Sequence, residues 1–283
     1  MISAGEQLRY TVAPDDKSEP RVVAAAAASP NHVEVRGVTH VFGRDKRSTP
    51  ALAGVDLCIQ PGEFVCLVGP SGCGKTTLLK LIAGFFTPTF GDVLVNGVQV
   101  SGPGADRGMV FQQPTLFPWL TVRGNVETGP RMAHVESAKR KETASRYLDM
   151  VGLADVAEQH PYELSGGMQQ RAAIARALAN DPAIVLMDEP FGALDALTRE
   201  RLQQELKQIW LTTGKTVVFV THSVEEAAFL GSRVVVLSPR PGRIVYNRTI
   251  ELGARGPGEV KDLRLLPEFA RLRAEIRAMI GTT

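Results

Sequence analysis

Two patterns of apolar and polar positions divide this chain. In His32 to Val38 (HVEVRGV) apolar and polar residues alternate, the period-two mark of a strand with one buried face. Val55 to Ile59 and Phe64 to Val68 read as further strands. Lys75 to Gly84 carries helical spacing, with Leu78, Leu79 and Ile82 on one face and Gly84 as the stop. A small β segment is expected at Asp92 to Val100 and a short strand at Gly108 to Phe111. Val122 to about Val151 reads as helical, with Ala144, Tyr147, Leu148 and Val151 on one side and Glu142 four residues ahead of Arg146 as a supporting pair. After Gly166 the pattern alternates: helix to Ala179, strand Ala183 to Met187, helix Thr198 to Leu211, strand Thr216 to Val220, helix Val224 to Leu230, strand Arg233 to Leu237. These strands are unbroken apolar runs, as expected when helices cover both faces of a parallel sheet, so the fold class is α/β. Pro267 to Ile280 places Phe269, Leu272, Ile276 and Met279/Ile280 on one face, an amphipathic helix expected to pack within a C-terminal extension.

Composition narrows this picture. At about 150 residues per domain, 283 residues make two domains or one large α/β domain with appendages. A hydrophobic share of 44% with 22% charged residues excludes wholesale disorder. Thirty-two basic against 30 acidic residues leave +2, which argues against a protein that coats nucleic acid. No apolar run approaches the roughly 20 residues that cross a bilayer. Cys58, Cys66 and Cys73 contain no CxxC pair and have no paired histidines nearby, so neither a disulfide framework nor a structural zinc site is expected, in keeping with a reducing cytosolic compartment. Asp15, Asp16 and Glu19 precede the alanine run Ala24 to Ala28, the wrong charge order for a secretory signal. Residues 1–30 are expected to form a flexible tail, a short partner-docking helix being the alternative. No internal repeat is visible.

Candidate chemistry concentrates in three strings. Gly69-Pro-Ser-Gly-Cys-Gly-Lys75-Thr76 fits G-x-x-x-x-G-K-[ST] between an expected strand and an expected helix, the context a phosphate loop requires. Its glycines let successive N–H groups turn inward as an anion nest, and the helix N-terminus adds its positive end. Lys75 is expected to reach the β- and γ-phosphates, and the Thr76 hydroxyl to ligate Mg²⁺. Ile184-Val-Leu-Met-Asp188-Glu189 is a buried strand ending in two carboxylates. Asp188 suits the Mg²⁺ shell, and Glu189 stands where a base would orient and deprotonate water. Leu164-Ser165-Gly166-Gly167-Met168 opens a helix with Ser165 as N-cap; alone it would read as a capped helix with a flexible entry.

Taken together, these strings resemble the ATPase subunits of ATP-binding cassette (ABC) transporters, over about residues 32–250 and with the motifs in order. Leu164 to Met168 is similar to that family's signature, although Met168 stands where the family usually has Gln. The resemblance implies an ABC-type nucleotide-binding domain of the P-loop NTPase class: a RecA-like core with a β subdomain and an inserted helical subdomain. It places the ATPase domain at 31–250, with the helical part at about 113–165, and a C-terminal helical extension at 251–283. It implies that Gly69, Pro70, Ser71, Gly72, Cys73, Gly74, Lys75, Thr76 and Thr77 hold ATP, and that Thr76, Gln112 and Asp188 serve Mg²⁺. It further implies catalysis by Glu189, His222 and Gln112, adenine stacking by Phe42, and contact of Ser165, Gly166, Gly167 and Asp195 with nucleotide across a dimer. Unaided, His222 would read as a satisfied polar residue after a strand and Phe42 as a core-edge aromatic.

The finer resemblance is to importers of nitrate, sulfonate, taurine and related small ions. Gly104-Ala-Asp-Arg107, Leu116-Phe-Pro-Trp119-Leu-Thr121-Val122 and Ser238-Pro-Arg-Pro-Gly242-Arg243-Ile244 carry it. It implies a homodimer of ATPase subunits under two integral membrane permease subunits and, indirectly, a substrate-binding protein, with no nucleic-acid partner. The expected place is the cytoplasmic face of the inner membrane, as a peripheral subunit. The alternative is a soluble ABC ATPase acting on nucleic acid or the ribosome, but no sustained heptads separate Thr76 from Ser165 and only one cassette is present. A non-catalytic regulator would be expected to lack Lys75, Glu189 or His222. Residues 240–283 hold nine basic and five acidic side chains, which suit an anionic membrane surface or a solvated helix face.

Overall fold

The chain enters on two strands, β1 (Val33–His40) and β2 (Leu52–Ile59), then β3 (Phe64–Val68) leads into α1 (Lys75–Ala83). A hairpin of β4 (Phe90–Val95) and β5 (Val98–Gln99) follows, and then β6 (Arg107–Val110). Four helices, α2 (Val122–Val126), α3 (Thr128–Met132), α4 (Ser137–Met150) and α5 (Gly166–Ala179), precede β7 (Ile184–Asp188). The remainder runs α6 (Ala196–Thr213), β8 (Thr216–Val220), α7 (Val224–Leu230), β9 (Arg233–Leu237), β10 (Ile244–Thr249) and α8 (Pro267–Gly281). These elements come from a computed structural model that describes residues 32–43, 49–254 and 263–281. The tail expected at 1–30 lies outside the described residues.

Two sheets result. One is antiparallel, in the order β2-β1-β4-β5; the other has the order β10-β9-β3-β8-β7-β6 and is parallel except for edge strand β10. Alternate residues of the parallel strands serve two separate cores. Val65, Leu67, Ile184, Leu186, Val218, Val220 and Val235 pack with Leu78, Leu79 and Ile82 of α1 and the inner face of the antiparallel sheet. Phe64, Cys66, Val185, Met187, Val217, Phe219 and Val234 pack with the other helices. Burial on both faces is why these strands are continuous apolar runs.

Several expectations change on folding. The helical stretch Val122 to Val151 is divided into three helices. Pro130 falls in the first turn of α3, where its missing N–H is harmless, and His134 adopts φ of 56°, a left-handed conformation no α-helix admits. Among the described residues Glu142 and Arg146 form no ion pair; Arg146 lies 4.8 Å from the Tyr147 ring centre. The small β segment at 92–100 is a tight hairpin whose two turn residues, Asn96 and Gly97, have φ of 55° and 77°, the paired positive angles that match strand twist. Strand β10 was not anticipated, because an edge strand exposed on one side carries too little apolar alternation.

Helix α8 buries Phe269, Leu272 and Ile276 in the same core as Phe229 of α7 and Ile250. Met279 and Ile280 lie partly buried against it. The C-terminal helix is therefore packed as part of the main core. Ile276 is fully buried, so Ile276→Ala is expected to cost about 2–5 kcal/mol in urea unfolding. A loss below about 0.5 kcal/mol, the range of ordinary surface changes, would show that the helix does not belong to the cooperative unit.

Candidate functional site

Register brings the site together. Leu67 of β3 pairs with Val220 of β8, and Val220 pairs with Asp188 of β7; Val110 of β6 pairs with Met187. The residues that follow these strand ends therefore leave the sheet at one level: Gly69, His222, Glu189 and Gln112. This is the carboxyl edge of a parallel sheet, where α/β folds bind ligands.

The loop from Gly69 to Gly74 turns β3 into α1, so the first N–H groups of that helix point outward. Gly74, the N-cap, has φ of 101°, and a Cβ there would stand 2.6 Å from Leu52 Cδ2 and 2.9 Å from the Ala51 carbonyl. Only glycine fits. Lys75 folds back over the loop, its Nζ donating to the carbonyls of Gly69 (2.8 Å) and Pro70 (3.0 Å). Those two bonds fix the place of its ammonium.

The Thr76 hydroxyl donates to Asp188 Oδ1 at 2.8 Å. Asp188 is buried, which raises its carboxyl pKa, while the Thr76 hydrogen bond opposes the shift. Both groups are hard oxygen donors. Among the described residues no cluster of three or more His, Cys, Asp or Glu could hold a metal by itself. The Thr76–Asp188 pair offers two adjacent oxygens, and Mg²⁺ is commonly held by one or two protein oxygens together with phosphate oxygens.

Glu189 has φ of 44°, the left-handed region, where a non-glycine residue is strained and is kept only by its surroundings. Its N–H donates to the Val220 carbonyl at 3.0 Å, which anchors the backbone at the strand end. Its Oε2 lies 3.2 Å from His222 Nδ1 and 3.5 Å from Gln112 Nε2. Two side chains from two other loops thus converge on one oxygen of the Glu189 carboxylate.

A cleft of about 460 Å³ opens over this floor. Of the expected residues, Phe42, Ser71, Gly72, Gly74, Lys75, Thr76, Thr77, Gln112, Glu189 and His222 line it. Gly69, Pro70, Cys73 and Asp188 do not line it; the first two supply the carbonyls that hold Lys75, Cys73 is buried, and Asp188 backs Thr76. Phe42 is 45% exposed and lies perpendicular to the rings of His40 (centroids 4.6 Å apart) and Phe86 (5.6 Å). Ala51 and Arg240 also line the cleft and were not anticipated. Arg240 arrives from the turn between β9 and β10 and is tied to the carbonyls of Thr49 (2.6 Å) and Pro50 (3.3 Å). No local signal marks Ala51; Arg240 lay within the subfamily string but with no role attached.

Ser165, Gly166, Gly167 and Asp195 are not part of this cleft. Ser165 caps α5 by accepting from the Met168 N–H at 3.3 Å, and a side chain at Gly166 would meet open space. Asp195 caps α6 through the Thr198 N–H at 3.0 Å, which holds its carboxyl below the usual carboxylate range. A Cβ on Gly167 would lie 3.4 Å from Leu194 Cδ2, so the two capped helix starts adjoin one another on a surface of their own.

Known proteins carry the same arrangement. The family model described as ABC transporter matches residues 52–192. The taurine import ATP-binding protein TauB of Roseobacter denitrificans is 51% identical over 231 residues, covering 81% of this chain and 86% of the relative. The chain belongs to the ABC transporter ATP-binding proteins. This cassette is also 49% identical over 256 residues to the nitrate import ATP-binding protein NrtD of Synechocystis sp., covering 88% of the chain and 95% of that protein. A dimeric ATP-binding cassette solved in a post-hydrolysis state with ADP and Pi superimposes with a TM-score of 0.69 at 37% identity, covering 79% of this chain and 99% of the other. The fold is thus the ABC-type P-loop nucleotide-binding domain, and the activity is ATP hydrolysis. Among the described residues no helix is long and apolar enough to cross a membrane.

Proposed function

We propose that this cassette powers an importer of small anions of the taurine, sulfonate or nitrate kind, as a homodimer docked on two integral membrane permease subunits. In this reading it sits at the cytoplasmic face of the inner membrane and is served indirectly by a substrate-binding protein. The observation that carries the hydrolytic part is the meeting of Gln112 and His222 on Glu189 Oε2, above a phosphate loop whose lysine is already in position. The importer part rests on relatives named for taurine and for nitrate import at about half identity. Nothing favours the alternative of a nucleic-acid or ribosome partner.

The chemistry follows from the side chains. Lys75 and the loop N–H groups bind the β- and γ-phosphates, and the partly exposed Phe42 stacks on adenine. Thr76 and Asp188, with Gln112 of the same site, would hold Mg²⁺, which would neutralise phosphate charge. Glu189 orients the attacking water and takes its proton on the carboxylate, and His222 presents its ring to the γ-phosphate. No covalent intermediate is needed, because positioning and electrostatics supply the barrier reduction.

Ser165, Gly166 and Gly167 do not line their own chain's cleft, and in this reading they cover ATP held by the partner copy. Turnover is then second order in protein at low concentration, and dilution should lower specific activity in proportion. A specific activity independent of dilution in a monomeric sample would refute the shared site. The substrate is tested by deleting the subunit and measuring uptake of taurine, other sulfonates and nitrate. Loss of uptake of one of these names the substrate, and unchanged uptake of all of them overturns the anion-importer reading.

A further inference from the structure

A chain of polar side chains, the inner three of them buried, runs from the C-terminal segment to the His222 turn. Gln203 of α6, Glu226 of α7 and Thr221 after β8 are 3%, 8% and 1% exposed, so each must find its partners inside the protein. Glu226 has no cation within ion-pair distance among the described residues. Its carboxylate instead accepts from Gln203 Nε2 at 3.1 Å and from Thr221 Oγ1 at 2.5 Å. The same Thr221 oxygen accepts from the Ser223 N–H at 2.9 Å, bridging across His222. The Thr221 hydroxyl can face Glu226 and still receive the Ser223 N–H only in one orientation. That orientation fixes the turn that holds His222 Nδ1 3.2 Å from Glu189 Oε2.

The other end of the chain is Arg264, in the turn that leads into α8. Its Nη2 donates to Gln203 Oε1 at 2.5 Å, its Nη1 pairs with Glu200, and its guanidinium lies 4.4 Å from the Phe229 ring centre. A primary amide can face Glu226 either way round. With Arg264 holding the oxygen, only the NH₂ end can turn toward the carboxylate. Without Arg264 the amide oxygen loses its donor, and the Gln203 side chain is held at one end only.

We propose that Arg264, Gln203 and Glu226 are positioning residues for hydrolysis, through which the C-terminal segment sets the His222 turn. This rests on the reading that His222 meets the γ-phosphate, and it adds a role for a segment outside the nucleotide cleft. The test measures kcat and KM for ATP, with unfolding midpoints, on the full-length chain carrying Arg264→Met, Arg264→Lys, Gln203→Leu or Arg264→Met with Gln203→Leu. Each single change is expected to lower kcat by about 3- to 10-fold with KM within about twofold, the size of an effect transmitted through a network. The double variant should fall no lower than the worse single, because both changes break one chain. The ¹⁵N shift of His222 Nδ1 should move in Arg264→Lys, which keeps the charge beside Glu200 and guards against loss of folding. Parent-like kcat in both Arg264 variants, multiplying losses in the double, or an unmoved His222 signal each overturns the proposal. If His222→Ala retains the parent rate, the reading of the site itself fails; if it is inactive while the Arg264 variants are not, only the relay fails.

Discussion

Glu189→Gln is expected to bind ATP with the parent's affinity and to lose about 10²–10⁴ in turnover, the usual contribution of a positioned general base. That loss corresponds to about 3–5.5 kcal/mol of barrier. The substitution keeps the length and volume of the side chain, so the strained backbone at φ of 44° and its N–H bond to Val220 have no reason to change. What changes is the atom on which Gln112 and His222 converge: a carboxylate that accepts a proton becomes an amide that cannot. Nucleotide titration and a single-turnover assay separate the two effects. Hydrolysis at the parent rate would remove Glu189 from the catalytic role, and lost affinity would move it to binding.

Lys75→Ala should act on the other limb, weakening nucleotide binding by about 10- to 150-fold, the range of one hydrogen bond to a charged group, about 1.5–3 kcal/mol. Lys75 lies 6% exposed and is held by the carbonyls of Gly69 and Pro70, so its ammonium is placed without further ordering when phosphate enters. Alanine removes the charge and also leaves those two carbonyls without their donor. An unfolding midpoint is therefore needed beside the titration, and a fall in affinity at an unchanged midpoint assigns the effect to phosphate contact. Unchanged affinity would sink the role of the loop lysine.

The parts of the fold legible along the chain are those whose residues answer to local rules. Phe64 to Val68, Thr216 to Val220 and Arg233 to Leu237 stand as strands at the residues expected, because four or five consecutive apolar residues between turn formers leave few other solutions. The phosphate loop was legible because a glycine nest before Lys-Thr has one common use. The break at Pro130 and His134 was not, since helical spacing continues across it and only the left-handed angle at His134 shows the stop. Nor was β10, whose pairing with β9 depends on a neighbour strand rather than on its own pattern. Arg240 reaches the cleft only because its turn lies against Thr49 and Pro50, 190 or more positions earlier in the chain.

The sequence by itself supplied the candidates: a phosphate-loop string and two carboxylates at a strand end, legible at short range, and His222, which took its reading from the family resemblance. Tertiary structure decided which of them meet. Parallel register sets four strand ends at one level, so Gln112, Glu189 and His222 share an oxygen although 77 and 33 residues separate Glu189 from its two partners. It also kept Ser165 to Gly167 and Asp195 out of that cleft, and ran a polar chain from Arg264 to Thr221 beneath the His222 turn. The physical reason is that buried polar groups must find partners wherever the packed core leaves them, and no local spacing encodes which distant residue that will be.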